Sequence, residues 1–71
     1  MKEVLRSTYP TEIAFATALL AGEGIATFDL YVHMSVLDGS LGILPRRVMV
    51  ADADWFMARA VLVDNGLLDR P

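Results

Sequence analysis

No cysteine occurs among these 71 residues, and in a chain this short that absence constrains the fold more than any motif does. A domain of this length buries only about 60% of the surface its unfolded chain exposes. Small scaffolds therefore add a disulfide, a metal or a partner to a modest core. Without thiols, disulfides and thiolate metal sites are both excluded. Partnership is the route left. The composition agrees, since 55% of the residues are hydrophobic, an excess for one small domain to bury.

The length allows a single domain, residues 1–71. The longest uncharged runs, Ile13–Gly22 and Leu30–Leu37, are too short to span a bilayer. Lys2, Glu3 and Arg6 interrupt any apolar signal segment at the start. The expected location is the cytoplasm, with no membrane contact. A net charge of −3 argues against nucleic acid as a partner, because such binding rests on basic surface.

Along the chain, "KEVLR" (Lys2–Arg6) reads as a first strand. Pro10 suits the first turn of a helix through "TEIAFATALLA", with Ser7, Thr8 or Thr11 near its free N–H groups and Glu12 at the positive dipole end. Gly22 or Gly24 stops it. "IATFDLYV" (Ile25–Val32) reads as a second strand, with Phe28, Leu30 and Val32 on one face and Thr27, Asp29 and Tyr31 on the other. "RRVMV" (Arg46–Val50) is a third, with Val48 and Val50 inward and Pro45 just ahead of it. Asp52 has the character of an N-cap for a second helix, "ADWFMARAVLVDN", with Asp54 in its first turn. Gly66 ends that helix, and Leu67 makes the accompanying apolar contact.

The order β-α-β-β-α predicts an α+β fold of the ferredoxin-like, split β-α-β kind, with two helices on one face of an antiparallel sheet. Its fourth strand would be short or missing, because only "LLDRP" follows the second helix. Strand one is then an open edge, and open edges are usually covered or paired. The helices also carry apolar residues beyond one core-facing stripe. Ile13, Ala16, Thr17 and Leu20 form the inner stripe of the first, with Phe15 and Leu19 well away from it. Trp55, Ala58 and Leu62 form that of the second, leaving Phe56, Met57, Ala60 and Val63. Either the core is deeply wrapped, or Phe15, Leu19, Phe56 and Met57 mediate self-association as a homo-oligomer.

The connection "HMSVLDGSLGILPRR", His33–Arg47, is long and apolar where a plain loop would be short and polar. Its Ile43 and Leu44 are expected to tuck into the core, with the "SVLDGS" tip offered to a partner. Ser35, Val36, Leu37, Asp38, Gly39, Arg46 and Arg47 are accordingly the candidate ligand- or partner-binding residues. Adjacent Arg46 and Arg47 point to opposite sheet faces, so one of them can make a bidentate contact to a carboxylate or phosphate. The other reading of the pair is an edge strand defended by charge.

No catalytic constellation stands out. His33, the single histidine, with Asp29 and Asp38 would be the set for a metal-dependent protein or small enzyme, but the spacing fits no metal motif. A triad of Ser35 or Ser40 with His33 and an aspartate lacks a nucleophile elbow. Asp52 and Asp54 read better as helix-start residues than as paired catalytic carboxylates. "GSLG" lacks the lysine and further glycine of a phosphate loop. The expectation is no enzyme, no cofactor and no metal.

The segment "HMSVLDGSLGILPRRVMVADADWFMARAVLVDNGL", together with Ala18–Ile25, resembles the small bacterial domain family described as a signal-transducing protein. The matching features are Ser35, Gly39 or Gly42, Pro45, the Val48–Val50 strand, Asp52, Ala58, Leu62 and Gly66–Leu67. The family is similar in fold to the nitrogen-regulatory P-II-like proteins, whose long connection between strands two and three reaches partners and whose intersubunit clefts bind small anionic effectors. This chain departs from them in its missing fourth strand and in having no evident nucleotide-binding residues, so no functional residue is carried over. The resemblance implies a regulatory module that binds a protein or a small anionic effector through residues 33–47.

Overall fold

A computed structural model describes residues 1–31 and 45–69. The elements follow as strand β1 (Lys2–Ser7), helix α1 (Pro10–Gly22), strand β2 (Phe28–Tyr31), strand β3 (Arg46–Val50), a single 3-10 turn (Asp52–Asp54) and helix α2 (Trp55–Asp64). The strands form a three-stranded antiparallel sheet in the order β1-β3-β2. Both helices pack against the strands and against each other. The fold is thus a small α+β domain in which β3 is central, so the reading of Arg46 and Arg47 as guards of an edge strand is corrected. β1 and β2 are the sheet's edges among the described residues.

The core grows from a few positions. Val48 and Val50 point from β3 to the helices, where Leu20 and Leu62 meet them, and all four side chains are fully buried. Ile13, Ala16 and Ala58 complete the helical side. Full burial of each large aliphatic side chain contributes roughly 1.5–3 kcal/mol. A bulge between Glu3 and Leu5 lets the neighbours Val4 and Leu5 both reach this core, which strict alternation would forbid.

α1 opens with Pro10 at its first position, as expected, but with no side-chain cap from the residue before it. Ser7 instead accepts a hydrogen bond from the Tyr9 N–H (2.9 Å) and donates one to Glu12 (3.0 Å). Gly24 is the stop, with φ of +75°. Around it the Ile25 N–H donates to the Leu20 carbonyl and the Gly24 N–H to the Ala21 carbonyl, a Schellman arrangement. Ile25 is consumed by that cap and buried, so β2 begins later than the expected Ile25, at Phe28. α2 ends identically at Gly66, with the Leu67 N–H on the Leu62 carbonyl and Leu67 packed against the core.

The start of α2 corrects the expectation for Asp52. A 3-10 turn intervenes, and no side-chain cap bond is made there. The Asp52 carboxylate is engaged instead by the Met1 ammonium at 2.6 Å. Among the described residues, no helix is long and apolar enough to cross a membrane.

Candidate functional site

The two arginines at the start of β3 have different surroundings, and register explains why. Val48 faces the helices, so Arg46, two residues before it, lies on that side and Arg47 on the other. Asp29 is paired with Val48 across the sheet, which sets it diagonally beside Arg46. The Arg46 guanidinium donates to both carboxylate oxygens of Asp29, the Nε bond measuring 3.1 Å. This fork ties β2 to β3. Its two members are about one-third exposed, so its contribution to stability is small, on the order of 0.5–1 kcal/mol.

Arg47 lies between Arg6 on β1 and Leu30 on β2. Its Nε is buried and meets no hydrogen-bond partner among the described residues. One position further on, Met49 lies between Glu3 and Phe28. Glu3 accepts two hydrogen bonds from the Arg6 guanidinium, at 2.9 and 3.2 Å. The sheet face turned away from the helices therefore carries two cross-strand rows, Glu3–Met49–Phe28 and Arg6–Arg47–Leu30. Phe28 and Leu30 are 47% and 43% exposed on it.

At the sheet end where β1 leads into α1, a shallow groove of about 360 Å³ is lined by Arg6, Ser7, Thr8, Tyr9, Glu12 and Pro45. The start of α1 forms one wall, and the residue entering β3 forms another. The groove presents both signs of charge, and a hydrogen bond joins two of its lining residues, Ser7 and Glu12.

Of the residues singled out from sequence, Arg46 and Arg47 sit as described, while Ser35, Val36, Leu37, Asp38, Gly39 and His33 lie outside the described residues. So do the expected tucking of Ile43 and Leu44 and the "SVLDGS" tip. Asp29, the described member of the His33–Asp29–Asp38 set, is committed to Arg46. Among the described residues, no three histidine, cysteine, aspartate or glutamate side chains gather as a metal site would require. Phe56, Met57 and Phe15 stand exposed on the helices, at 80%, 60% and 47%. Leu19, grouped with them from sequence, is half-buried and packs against the core.

Sequence reasoning missed the groove residues Arg6, Thr8 and Tyr9 and the sheet face around Met49. Ser7, Thr8 and Glu12 were legible only as helix-start chemistry, and "STYP" read as punctuation. The one available signal was the like-faced pair Phe28 and Leu30, whose alternation was plain. Its facing side was not, because register with β3 decides it.

These features define a small α+β domain with a charged, concave sheet end and one sheet face that, among the described residues, no helix covers. The family model described as "Putative prokaryotic signal transducing protein" matches residues 1–66, and the chain belongs to that family. No curated protein and no solved structure matches it.

Proposed function

We propose that this chain is a non-enzymatic regulatory module that binds a protein partner or a small anionic effector through residues 33–47 and the sheet end they lead into. The observation that carries the reading is the placement of Pro45, Arg46 and Arg47. The described end of that long apolar segment enters the central strand directly beside the Arg6–Glu12 groove. A ligand held there would touch the strand on which the whole sheet is registered. The family description supports a signalling role.

The fold reading that accompanies this is a ferredoxin-like plan without its fourth strand, related to the P-II-like proteins. The strand order β1-β3-β2, with α1 connecting the two edges, supports it. The module is expected to work in the cytoplasm and as a homo-oligomer. The metal-dependent alternative gains no support from Asp29, whose carboxylate is already paired.

Amide NMR of the labelled protein, alone and with pooled anionic metabolites and nucleotides, tests the proposal. Saturable shifts at Arg46, Arg47 and the groove residues are expected. A spectrum unmoved by every pool would remove the effector. Substituting charges at Val36 and Leu37 then decides the protein-partner form: a folded variant that still binds its partner at full strength would remove that too.

A further inference from the structure

We propose that the sheet face turned away from the helices is a docking surface for an acidic polypeptide segment whose carboxylates are flanked by large apolar side chains, with Arg47 as its anchor. This deepens the binding-module reading and rests on it.

On this face Glu3 is held by Arg6, and those two cancel. Arg47 then remains as a positive charge at the centre of the sheet, directly across from the Arg6 guanidinium. The protein as a whole carries −3, so this centre runs against its general sign. An acidic segment is attracted here and repelled by the rest of the surface, which gives orientation as well as attraction.

Hydrogen bonding adds to this. The Arg47 Nε is buried yet has no acceptor among the described residues. A buried donor left unpaired is costly, above all on a charged group. A carboxylate arriving over the face pairs with the guanidinium and offsets that cost.

The remaining residues specify what flanks that carboxylate. Phe28, Leu30 and Met49 make an apolar floor along β2 and β3, and Phe28 and Leu30 are almost half exposed. Inorganic phosphate or a free carboxylate leaves this floor wet. A polypeptide with leucine or phenylalanine beside its aspartates or glutamates covers it. A second copy of this chain fits poorly, because face-to-face pairing sets two net-positive centres against each other while both Glu3 carboxylates are engaged by Arg6.

The test uses the full labelled chain and an acetylated, amidated decapeptide alternating glutamate and leucine. A peptide with lysine replacing each glutamate serves as control. Saturable shifts at Phe28, Leu30, Arg47 and Met49 are expected with the acidic peptide and not with the basic one. Arg47→Gln should weaken binding at least tenfold, and Glu3→Gln, which adds a net positive charge to the face, should tighten it several-fold. Leu30→Ser supplies a second loss-of-binding variant that leaves Arg47 in place, should Arg47→Gln unfold. Shifts confined to Thr8, Tyr9 and Glu12 would overturn the face assignment while keeping the binding module. So would concentration-dependent shifts at Phe28 and Leu30 without peptide, which would mark a second copy instead. If the peptide leaves the spectrum unmoved while the metabolite pools move it, this proposal alone fails; if both leave it unmoved, the effector reading fails with it.

Discussion

At the scale of single residues, Trp55 shows how one side chain can join a helix to a strand and to the core. Its indole N–H donates to the Glu3 carbonyl at 2.9 Å, and the Lys2 ammonium sits 4.4 Å from its ring centre. Its ring also packs against the core from the first turn of α2. Trp55→Phe keeps most of the apolar contact and removes the hydrogen bond, so stability should fall by about 1 kcal/mol. In a domain of this size that lowers the thermal midpoint by roughly 4–8 °C; an unchanged midpoint in a circular-dichroism melt would refute the role given to the bond. Asp52 makes a second test close by. The Met1 ammonium, by hydrogen bond and charge, and then Lys2 hold its carboxyl below the usual value of 3.8. A depressed folded value means that the unfolded chain binds the proton more readily. The associated stability is therefore present above about pH 4 and lost as pH falls through the folded value. Carboxyl NMR should show Asp52 titrating below its ordinary range, and acetylation of the Met1 amine should return it upward. Salt should weaken the effect as well, because the pair is exposed.

At the scale of elements, the glycines near the helix ends make predictions of opposite sign from one residue type. Gly24 and Gly66 take φ values of +75° and +79°, and nothing lies within 4 Å of where a Cβ would stand. Replacing either by alanine should cost about 1–2 kcal/mol, from backbone conformation alone and not from a clash. Gly22 has equally open surroundings but belongs to the last turn of α1, without a positive φ. Gly22→Ala should accordingly stabilise by about 0.5–1 kcal/mol. Chemical denaturation of the three variants checks this, and a destabilised Gly22→Ala would contradict the assignment of the stop to Gly24. From sequence, the stop of α1 was divided between Gly22 and Gly24, whereas Gly66 was unambiguous. The difference is that α2 offers one glycine followed by an apolar residue. α1 offers two glycines, and the deciding partner, Ile25, had a competing reading as a strand residue. Elements were otherwise legible wherever period and punctuation agreed, as in Arg46–Val50, found with its expected bounds and its expected inward valines. They were misread where a local bond diverted a side chain, as the Met1 ammonium diverts Asp52 from capping.

At the scale of the whole molecule, what sequence patterns leave open is which surfaces face each other. Alternation along β2 separates Phe28 and Leu30 from Asp29, yet only pairing with Val48 and Arg47 shows that the apolar pair lies outside the core. The same holds for the helices, where the leftover apolar residues divide once the packing is in place. Leu19 turns partly inward, while Phe56 and Met57 stay 80% and 60% exposed. Among the described residues the domain thus has two separate apolar surfaces, one on the side of the sheet turned away from the helices and one on the helices that cover its other side. They differ in charge character. The sheet face centres on Arg47, whereas neither Phe56 nor Met57 carries a charge to oppose a second copy. Self-association, if it occurs through the helices, should then respond to one set of substitutions and not the other. Phe56→Glu should shift sedimentation velocity toward the monomer without altering the circular-dichroism spectrum, since that side chain contributes little to the core. Arg47→Gln should leave the sedimentation unchanged. A wild-type chain that sediments as a monomer at all accessible concentrations would remove the helical surface from consideration, and a shift produced by Arg47→Gln would move self-association to the sheet.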